Sequence, residues 1–417
     1  MSSTKALAHG FLAAITSGWH GFKWERGDPT CEMEELAITG GRPASDHWIP
    51  ISKPMIGDEE IADVIKVLRS GQLREGRMVR RFEEEFGVKC GAKHAIVASS
   101  GAAALHLAFM AILKPGDEVI VPSFTFAASV NTVVLAGGKP VFADIEECTF
   151  TLDPDDVLEK ITPRTRVIEP VHLYGQPADM KPILEIAEDH GLLVVWDAAQ
   201  AHGAQYEGRD VGSFDHLVCY SFYATKNMTT GGEGGMVTTN DDEIARRIRM
   251  LKSHGQERRY WHVMPGLNYR MTEMQAAIGI HQLRKLDQLN RVRIENARKL
   301  TKALEHVEGV IPPYVRPNCK HVFHQYTIML ELEDFKCDRD EFAEALRAEN
   351  IDVRVFYATP VHKQPAYREL AKDVRLPVTE RVAERVLSLP VHPALSEKEL
   401  KAVAYAVEKV ATHFHKG

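Results

Sequence analysis

The chain has 417 residues, of which 44% are hydrophobic and 26% are charged, and its formal net charge is -7 at pH 7. This composition is typical of a soluble globular protein, and the length predicts two or three domains. The negative net charge gives no support for nucleic-acid binding or for an anionic membrane partner, although it allows a local basic pocket. No uninterrupted apolar stretch reaches the roughly 18 residues that a membrane-spanning helix needs.

The cysteines are scattered and include no CxxC pair; they lie at positions 31, 90, 148, 219, 319 and 337. This pattern favours free thiols in a reducing cytoplasm over a disulfide framework or a zinc site, and the histidines show no metal-ligand spacing. The start of the chain has a weak apolar centre that His9, Gly10 and Thr16 interrupt, so we expect no signal peptide. We therefore predict a cytoplasmic protein without a metal site.

Residues 1–46 are interpreted as an N-terminal extension, because they contain an aperiodic stretch followed by the turn-rich "ITGGRPASDHW". From Lys93 onward, apolar runs alternate with helix-like stretches. The runs are 94–99, 118–123, 139–145, 166–175, 192–199, 216–223 and 234–239. Several are too continuously apolar for half-exposed strands, so they predict buried strands of a mainly parallel, seven-stranded sheet. The alternation indicates an α/β doubly wound domain, which we assign to residues 47–285.

The pattern changes after Asn268. Residues 271–307 predict a long, partly interrupted helix, and strand-like 323–332, helix-like 338–350 and a last helix over 396–414 follow. We interpret residues 286–417 as a smaller C-terminal α+β domain that is joined to the first through the long helix.

Polar residues that follow the apolar runs are candidates for a site, because ligands bind at the carboxyl ends of strands in an open α/β sheet. Ser99, Ser100 and Gly101 follow the first run and open a helix-like stretch. A helix start offers free N–H groups, so this segment could bind an anion. The alternative is a plain serine N-cap.

Asp197 ends the run "LLVVW" and precedes "AAQAHG". A carboxylate at the end of a buried strand needs a partner, which could be the protonated ring nitrogen of a cofactor. The alternative is a structural aspartate that caps the next turn. Gln200 and His202 lie nearby in sequence, and we expect His202 to be a structural hydrogen-bonding residue rather than a general base.

Lys226 stands between an apolar run and the glycine-rich "TTGGEGG", five residues after Ser221. A lysine held near a carbonyl group can form a Schiff base, whereas a lysine at the end of a strand can also be ordinary surface. The glycines allow the backbone to approach closely, but the loop fits neither GxGxxG nor the P-loop pattern.

The three candidates together meet the needs of pyridoxal 5′-phosphate, which presents a phosphate, a pyridine nitrogen and an aldehyde. An anion site, a carboxylate and a lysine amine all fall at strand ends of one predicted sheet. The carboxylate would keep the pyridine nitrogen charged, so that the ring can act as an electron sink.

The sequence resembles the pyridoxal-phosphate-dependent sugar aminotransferases of the DegT/DnrJ/StrS type, which have the aspartate-aminotransferase fold, type I. The resemblance runs from about Ile49 to the C-terminus. Six ordered motifs carry it: "SSGAAALHLAF", "GDEVIVPSFTFAASVNTV", "PVHLYGQPADM", "WDAAQAHGA", "SFYATKNMTTGGEGGMV" and "GLNYRMTEMQAAIG".

The resemblance implies a role for each matching residue. Lys226 would bond to the cofactor aldehyde and later carry a proton between two carbons, and Asp197 would pair with the pyridine nitrogen. Gln200 would reach the ring hydroxyl, and Phe126 would stack on the ring face. The residues implied for the phosphate are Ser100, Gly101, Ala102 and Ser221.

Asn268 would reach the cofactor phosphate of a neighbouring subunit, so the resemblance also implies a homodimer with shared active sites. Without the resemblance, Phe126 would be assigned to core packing. Asn268 could also cap the helix that begins in "MTEMQAAIG".

Three positions depart from the family pattern. Ala102 stands where the family usually has Thr, and Trp196 stands where it usually has an acidic residue. The loop reads "GGEGG" instead of "GEGG", which leaves the path after Lys226 open.

The resemblance implies a ketosugar acceptor, usually nucleotide-linked, and glutamate or glutamine as the amino donor. Candidate substrate contacts are Arg258, Arg270, His324 and Tyr326; the alternative for each is a solvated face. A keto-cyclitol acceptor, a sugar dehydratase and a non-catalytic nucleotide-sugar-binding protein are the other hypotheses. Lys226 argues against the dehydratases, which carry His there, and an NAD-linked dehydrogenase is disfavoured because no GxGxxG follows the first strand.

Overall fold

The computed structural model describes residues 35–416, and its strands form one large sheet and three small ones. The strands are, in chain order, β1 (His94–Ala98), β2 (Glu118–Pro122), β3 (Lys139–Ala143), β4 (Thr165–Ile168), β5 (Leu193–Asp197), β6 (Gln205–Tyr206), β7 (Arg209–Asp210), β8 (Leu217–Ser221), β9 (Gly235–Thr239), β10 (Gln256–Arg258), β11 (Trp261–His262), β12 (Val310–Ile311), β13 (Cys319–Lys320), β14 (Tyr326–Leu330) and β15 (Val386–Leu389).

The large sheet has seven strands in the order β1-β9-β8-β5-β4-β2-β3. Only β9 runs antiparallel to its neighbours in this sheet, and the other adjacent pairs are parallel. Each of the seven apolar runs contributes one strand. The prediction of a mainly parallel, seven-stranded α/β sheet is therefore confirmed.

Helices cover both faces of this sheet and build the C-terminal part. They are α1 (Asp58–Ser70), α2 (Arg77–Cys90), α3 (Gly101–Ile112), α4 (Ala127–Leu135), α5 (Pro154–Lys160), α6 (Met180–His190), α7 (Asp242–Leu251), α8 (Glu273–Leu304), α9 (Arg339–Ala348), α10 (Pro377–Arg385) and α11 (Glu397–Phe414).

Alternation along the buried strands creates two apolar layers, because successive side chains of a strand point to opposite faces. In β5, Trp196 packs in the layer that includes Phe82 of α2 and Ile280 of α8. Val195 packs in the opposite layer, which includes Leu105 of α3. Asp197 shares the alternation of Val195, so its carboxyl group faces the side of α3 and α4.

Two predicted elements differ from the structure. The apolar run 166–175 predicts one strand, but β4 ends at Ile168, because Pro170 has no N–H to donate to a neighbouring strand. The long helix is not interrupted: α8 runs from Glu273 to Leu304, and Thr272 and Gln275 form a capping box at its start. Thr272 is thus the N-cap, and the alternative cap role of Asn268 is wrong.

The C-terminal part contains the small antiparallel sheet β12-β14-β15 and helices α9 to α11. The predicted domain boundary at 285/286 falls inside α8, and the two-domain division stays a prediction. Residues 1–34 of the predicted extension lie outside the described residues. Within 35–46, the N–H groups of Ala37 and Ala44 donate to the buried carboxylate of Glu349 in the C-terminal part.

No helix within residues 35–416 is both long and apolar enough to span a bilayer.

Candidate active site

Four of the residues predicted to bind the cofactor lie at the carboxyl edge of the large sheet. Asp197 is the last residue of β5 and Ser221 the last residue of β8, and these strands are parallel neighbours. Ser100 directly precedes α3, two residues after the end of β1. Lys226 lies in the connection from β8 to β9, which returns along the same edge.

Asp197 is buried and held by two hydrogen bonds. Its Oδ1 accepts from the Ala199 N–H at 2.9 Å, and its Oδ2 accepts from the Ser129 hydroxyl of α4 at 3.0 Å. Burial raises the pKa of Asp197, while these hydrogen bonds and the charge of Lys226 act in the opposite direction. A carboxylate in this position favours a nearby cationic ring nitrogen, because that cation would offset its desolvation.

Lys226 carries the second titratable group of the site. Burial lowers the pKa of Lys226 to about 8, and the charge of Asp197 opposes that decrease. The side chain therefore has a neutral fraction near neutral pH, which a free lysine with a pKa of about 10.4 lacks. A neutral amine is the form that attacks an aldehyde.

The glycine-rich loop holds Lys226 in place by folding back on the strand end. The Phe222 N–H donates to the Gly234 carbonyl at 2.8 Å, and the Ala224 N–H donates to the Gly232 carbonyl at 3.1 Å. Gly231 and Gly232 have φ values of +89° and +138°, which L side chains rarely adopt. The extra glycine of "GGEGG" thus forms part of the reversal behind the lysine.

The candidate anion site lies between the start of α3 and the end of β8. Ser100 is the N-cap of α3, and its hydroxyl accepts from the Ala103 N–H at 3.1 Å. The first-turn N–H groups of Gly101 and Ala102 have no acceptor within the helix. A Cβ on Gly101 would lie 2.5 Å from the Cβ of Ser221, so glycine is required for this close approach. Ser100 is therefore an N-cap, and the backbone N–H groups of Gly101 and Ala102 remain as donors for a phosphate.

Gln200 is oriented by both ends of its amide group. Its Oε1 accepts from the Tyr174 N–H at 2.7 Å, and its Nε2 donates to the Tyr357 hydroxyl at 3.2 Å. Phe126 is 60% exposed, and its ring centroid lies 6.1 Å from that of Tyr357. This exposure rules out a core-packing role for Phe126 in the described chain. Sequence reasoning missed Tyr357, because it lies in an apolar stretch that carries no motif.

Asn268 is exposed and pairs by backbone with Ser253. The carbonyl of the next residue, Tyr269, accepts from the Ser99 N–H at 2.9 Å, which connects this segment to the candidate anion site. The side chain of Asn268 is thus available to a neighbouring molecule.

The four predicted substrate contacts separate into different surroundings. His324 is buried and its Nδ1 lies 3.3 Å from the Oδ1 of Asn227, the residue after Lys226. Tyr326 is fully buried, with its hydroxyl 2.9 Å from the Thr301 hydroxyl of α8, so its placement supports a packing role.

The two arginines lie near the β10–β11 hairpin. Arg258 is exposed and its guanidinium lies 5.2 Å from the ring centroid of Trp261, and Arg270 donates to the Ser253 hydroxyl at 3.0 Å. The structure thus connects His324 to the lysine segment, whereas neither arginine has a described contact with Lys226.

His202 is buried among aromatic rings next to β8. Neither ring nitrogen has a hydrogen-bond partner among the described residues, and the ring packs beside Tyr220 and Phe222. Burial lowers the pKa of His202 to about 3, so the ring is neutral. The structural hydrogen-bonding role of His202 therefore stays a prediction.

The residues present fit pyridoxal phosphate. A buried carboxylate, a half-buried lysine of lowered pKa, a helix N-terminus tightly packed on a serine and an exposed aromatic ring lie along one sheet edge. These are the groups that a ring nitrogen, an aldehyde, a phosphate and a flat ring each require.

Known proteins are similar to this chain over most of its length. Residues 54–408 match the DegT/DnrJ/EryC1/StrS aminotransferase family. GDP-perosamine synthase of Caulobacter vibrioides is 42% identical over 368 residues, which cover 87% of this chain and 98% of that protein.

Two solved structures are also similar. DesI, determined in the presence of its TDP-sugar product, is 33% identical with a TM-score of 0.85, covering 90% of this chain and 96% of its own. NtdA of Bacillus subtilis, determined with bound cofactor PMP, is 30% identical with a TM-score of 0.79, covering 86% and 83%. The predicted resemblance is therefore confirmed: the chain belongs to the DegT/DnrJ/EryC1/StrS family and is a pyridoxal-phosphate-dependent aminotransferase.

Proposed function

We propose that this aminotransferase moves an amino group from glutamate or glutamine to the keto group of a nucleotide-linked sugar. Support for the acceptor comes from the relatives, since one is named for a GDP-linked amino sugar and another was determined with a TDP-sugar product. One observation carries the proposal. Lys226, Asp197 and the close contact between Gly101 and Ser221 all lie at the same edge of the large sheet.

When bound, the cofactor supplies a reactive aldehyde carbon and a ring that withdraws electrons from the substrate. We assign the Nζ of Lys226 to hold that carbon. The Asp197 carboxylate would hold the ring nitrogen, and the Gln200 amide would lie on the hydroxyl side of the ring. The Phe126 ring would cover one face.

The phosphate would bind between α3 and β8. Its donors would be the N–H groups of Gly101 and Ala102 and the Ser221 hydroxyl. Ser100 keeps the helix start in place as the N-cap. Ala102 adds no hydroxyl group, so backbone donors and Ser221 carry the binding.

Lys226 would also move the proton. Its Nζ would take a proton from the substrate carbon that bears nitrogen and would hold that proton for its return. A pKa near the working pH suits both steps, because the amine must take and give the proton in turn. The value of about 8 meets this requirement.

We further propose a cytoplasmic homodimer in which Asn268 of one subunit completes the site of its neighbour. The exposed position of Asn268 and the anchoring of its segment at Ser99 support this arrangement.

The test is an absorbance spectrum of the purified protein before and after addition of glutamate or glutamine, followed by mass analysis of a nucleotide-linked ketosugar. We expect a visible band that shifts with the donor, and a product that has gained nitrogen. Lys226→Ala should lose nitrogen transfer by at least about 10³-fold, because no other group holds the cofactor carbon and moves the proton. The exposed Lys398→Ala is the control and should retain activity.

Full activity of Lys226→Ala with an unchanged circular dichroism spectrum would contradict the proposal. A product that had lost water without gaining nitrogen would instead identify a dehydratase. A protein without a visible band, even after incubation with pyridoxal phosphate, would favour a binding protein.

A further inference from the structure

Ser123, His362 and Glu380 form a buried chain of hydrogen bonds. Ser123 directly follows β2, and its Oγ lies 2.6 Å from the Nδ1 of His362. The Nε2 of His362 lies 3.3 Å from the Oε1 of Glu380 in α10. A serine, a histidine and a carboxylate in this order also occur in hydrolases, but Ser123 is 0% exposed, so its hydroxyl meets no substrate. The chain therefore connects parts of the protein.

The hydrogen bonds fix which ring nitrogen of His362 carries the proton. The backbone N–H of His362 donates to the Ser123 Oγ at 2.9 Å. If Nδ1 also donated to this oxygen, the Ser123 hydroxyl would have no acceptor within the described residues, and a buried donor without an acceptor is costly. Burial lowers the pKa of His362, so the ring is neutral near pH 7. Ser123 therefore donates to Nδ1, and Nε2 donates to the Glu380 carboxylate.

These contacts hold C-terminal segments on the carboxyl edge of the large sheet. The Val361 N–H donates to the Ser123 carbonyl at 2.9 Å, so this segment contacts Ser123 through both backbone and side chain. At the start of α10, the N–H groups of Val378 and Thr379 donate to the Asp144 carboxylate at 3.0 and 2.7 Å. Asp144 directly follows β3, the strand beside β2. The C-terminal segments are thus fixed at two neighbouring strand ends.

Both of the chain segments that meet at Ser123 carry an aromatic ring of the candidate active site. Phe126 follows Ser123 by three residues, and Tyr357 precedes His362 by five. The two ring centroids are 6.1 Å apart with an angle of 36° between the planes, and the Tyr357 hydroxyl accepts from Gln200. Because both segments are short, a shift of His362 relative to Ser123 would change the separation of the two rings.

Further hydrogen bonds connect the Ser123 segment to Asp197. Ser129 donates its only hydroxyl proton to the Oδ2 of Asp197 at 3.0 Å. Thr125 must therefore be the donor in its 3.0 Å contact with the Ser129 hydroxyl. Thr125 directly precedes Phe126. The segment that begins at Ser123 thus supports both the Phe126 ring and the Asp197 carboxylate.

We infer that Ser123 and His362 are positioning residues, whose hydrogen bond keeps Phe126 and Tyr357 at the separation that the cofactor ring requires. This inference rests on the proposed function in one respect, because there Phe126 covers one face of the ring. Both residues act through other side chains, so their loss should weaken cofactor binding without removing a group that takes part in the reaction. Aromatic contacts depend on ring separation and tilt, so a small displacement is sufficient.

The test uses two substitutions of His362 that each keep one of its contacts. Asn places an oxygen near the position of Nδ1 and can still accept from Ser123, whereas Gln reaches toward Glu380 and loses the Ser123 contact. Calorimetry measures the binding of pyridoxamine 5′-phosphate to the apoprotein, because this form makes no covalent bond to Lys226. His362→Gln and Ser123→Ala should bind it at least about fivefold more weakly than wild type, and His362→Asn within about twofold.

His392→Gln is the matched control. His392 is also buried, and its Nε2 donates to the Pro50 carbonyl at 3.1 Å, a contact that Gln can keep. This variant should bind pyridoxamine 5′-phosphate as the wild type does. The double variant Ser123→Ala/His362→Gln should bind it no more weakly than the weaker single variant, because both changes remove the same hydrogen bond. Additive losses in the double variant would overturn the inference.

Visible circular dichroism of the protein loaded with pyridoxal phosphate separates positioning from a purely structural role, because it reports the asymmetric surroundings of the cofactor ring. The band should be reduced in His362→Gln and Ser123→Ala and unchanged in His362→Asn. Equal affinities and equal bands in all variants would overturn the inference, even if the melting temperatures fell. An effect of His362→Asn as large as that of His362→Gln would also overturn it. Ser123→Ala removes a single oxygen, so it decides the matter if His362→Gln does not fold.

The outcomes also separate this inference from the proposed function. If pyridoxamine 5′-phosphate affinity depends on the contact between Ser123 and His362 but no nucleotide-linked ketosugar gains nitrogen, the positioning role stands and the proposed function fails. If nitrogen transfer occurs while affinity and the visible band are the same in all variants, the proposed function stands and the positioning role fails.

Discussion

Two buried glutamates near the large sheet have opposite surroundings. Glu118 of β2 is 1% exposed, and its carboxylate accepts from Arg164, Lys139 and the Thr162 hydroxyl, which together hold its pKa below the ordinary value. Glu169 is fully buried after β4, and neither carboxyl oxygen has a hydrogen-bond partner among the described residues. Burial, with the charge of Asp197, raises the pKa of Glu169 well above its ordinary value.

Replacement of Glu169 by Gln should therefore stabilise the protein increasingly as the pH rises. A raised pKa in the folded state means that stability is complete below the unfolded-state pKa and is lost as pH rises through the folded-state value. Gln does not titrate, so the free energy of unfolding of Glu169→Gln relative to wild type should increase above about pH 4.5, by up to about 1.4 kcal/mol per pH unit. Urea unfolding at pH 5, 6.5 and 8 measures this difference.

Glu118→Gln is the matched control for this experiment. Its lowered pKa makes the stabilisation by Glu118 complete above the unfolded-state pKa, so the loss in Glu118→Gln should be nearly constant between pH 5 and 8. Parallel pH profiles for wild type and Glu169→Gln would show that Glu169 is paired in the native protein, contrary to the prediction.

The difference between predicted and unpredicted site residues has a physical origin at this scale. Asp197, Ser221 and Lys226 could be found from sequence, because each follows an apolar run that predicts a strand, and strand ends meet at one edge. The burial of Arg293 could not be predicted, because "NRVRIENARK" has the mixed charge of a solvated helix face. Only the packing of α8 shows that this arginine is buried. Glu169 was also not singled out, because it lies inside the run 166–175 that was predicted as one strand.

At the scale of elements, the start of α2 depends on a side chain from α8. The carboxylate of Glu273 accepts from the N–H groups of Gly76, Met78 and Val79 at 2.8, 2.9 and 3.0 Å. These are the unsatisfied donors that every helix start presents, and a negative charge there also interacts favourably with the helix dipole. Glu273 is 4% exposed, so water does not replace these contacts easily.

Glu273→Gln should lower the free energy of unfolding by about 2–4 kcal/mol, because a neutral amide offers one acceptor oxygen to three largely enclosed backbone donors. Urea unfolding at neutral pH measures the loss. Glu84→Gln on the exposed face of α2 is the control and should stay within about 0.5 kcal/mol of wild type. Equal stability of the two variants would mean that the donors find other acceptors.

The fold was predictable where the residues of a single strand or helix show its type by their own apolar pattern. Continuous apolar runs gave all seven strands of the large sheet, because such strands are buried on both faces. The end of β4 and the continuity of α8 were not predicted. The end of β4 depends on which backbone N–H groups pair with a neighbouring strand, and Pro170 has no N–H to donate. The continuity of α8 depends on apolar side chains that other parts of the molecule cover.

At the scale of the whole molecule, exposed aromatic side chains cluster on the β10–β11 hairpin. Tyr260 is 76% exposed and Trp261 is 54% exposed, and Arg259 and Arg258 lie over their rings. Aromatic residues and arginine are enriched at protein interfaces, and isolated chains rarely expose such groups together without a partner. The proposed homodimer provides such a partner, since the chain segment that contains the hairpin also leads to Asn268.

A Tyr260→Ser/Trp261→Ser variant should therefore weaken the dimer by at least about tenfold, because buried aromatic residues often contribute more than 1 kcal/mol each at interfaces. Sedimentation velocity over a dilution series measures the dissociation constant. Val88→Ser is the control, because Val88 is 84% exposed on α2 and should leave association unchanged. If Asn268 completes the neighbouring site, the double variant should lose specific activity on dilution and regain it at high protein concentration. A monomeric wild type, or a double variant that dimerises like Val88→Ser, would remove the hairpin from the interface.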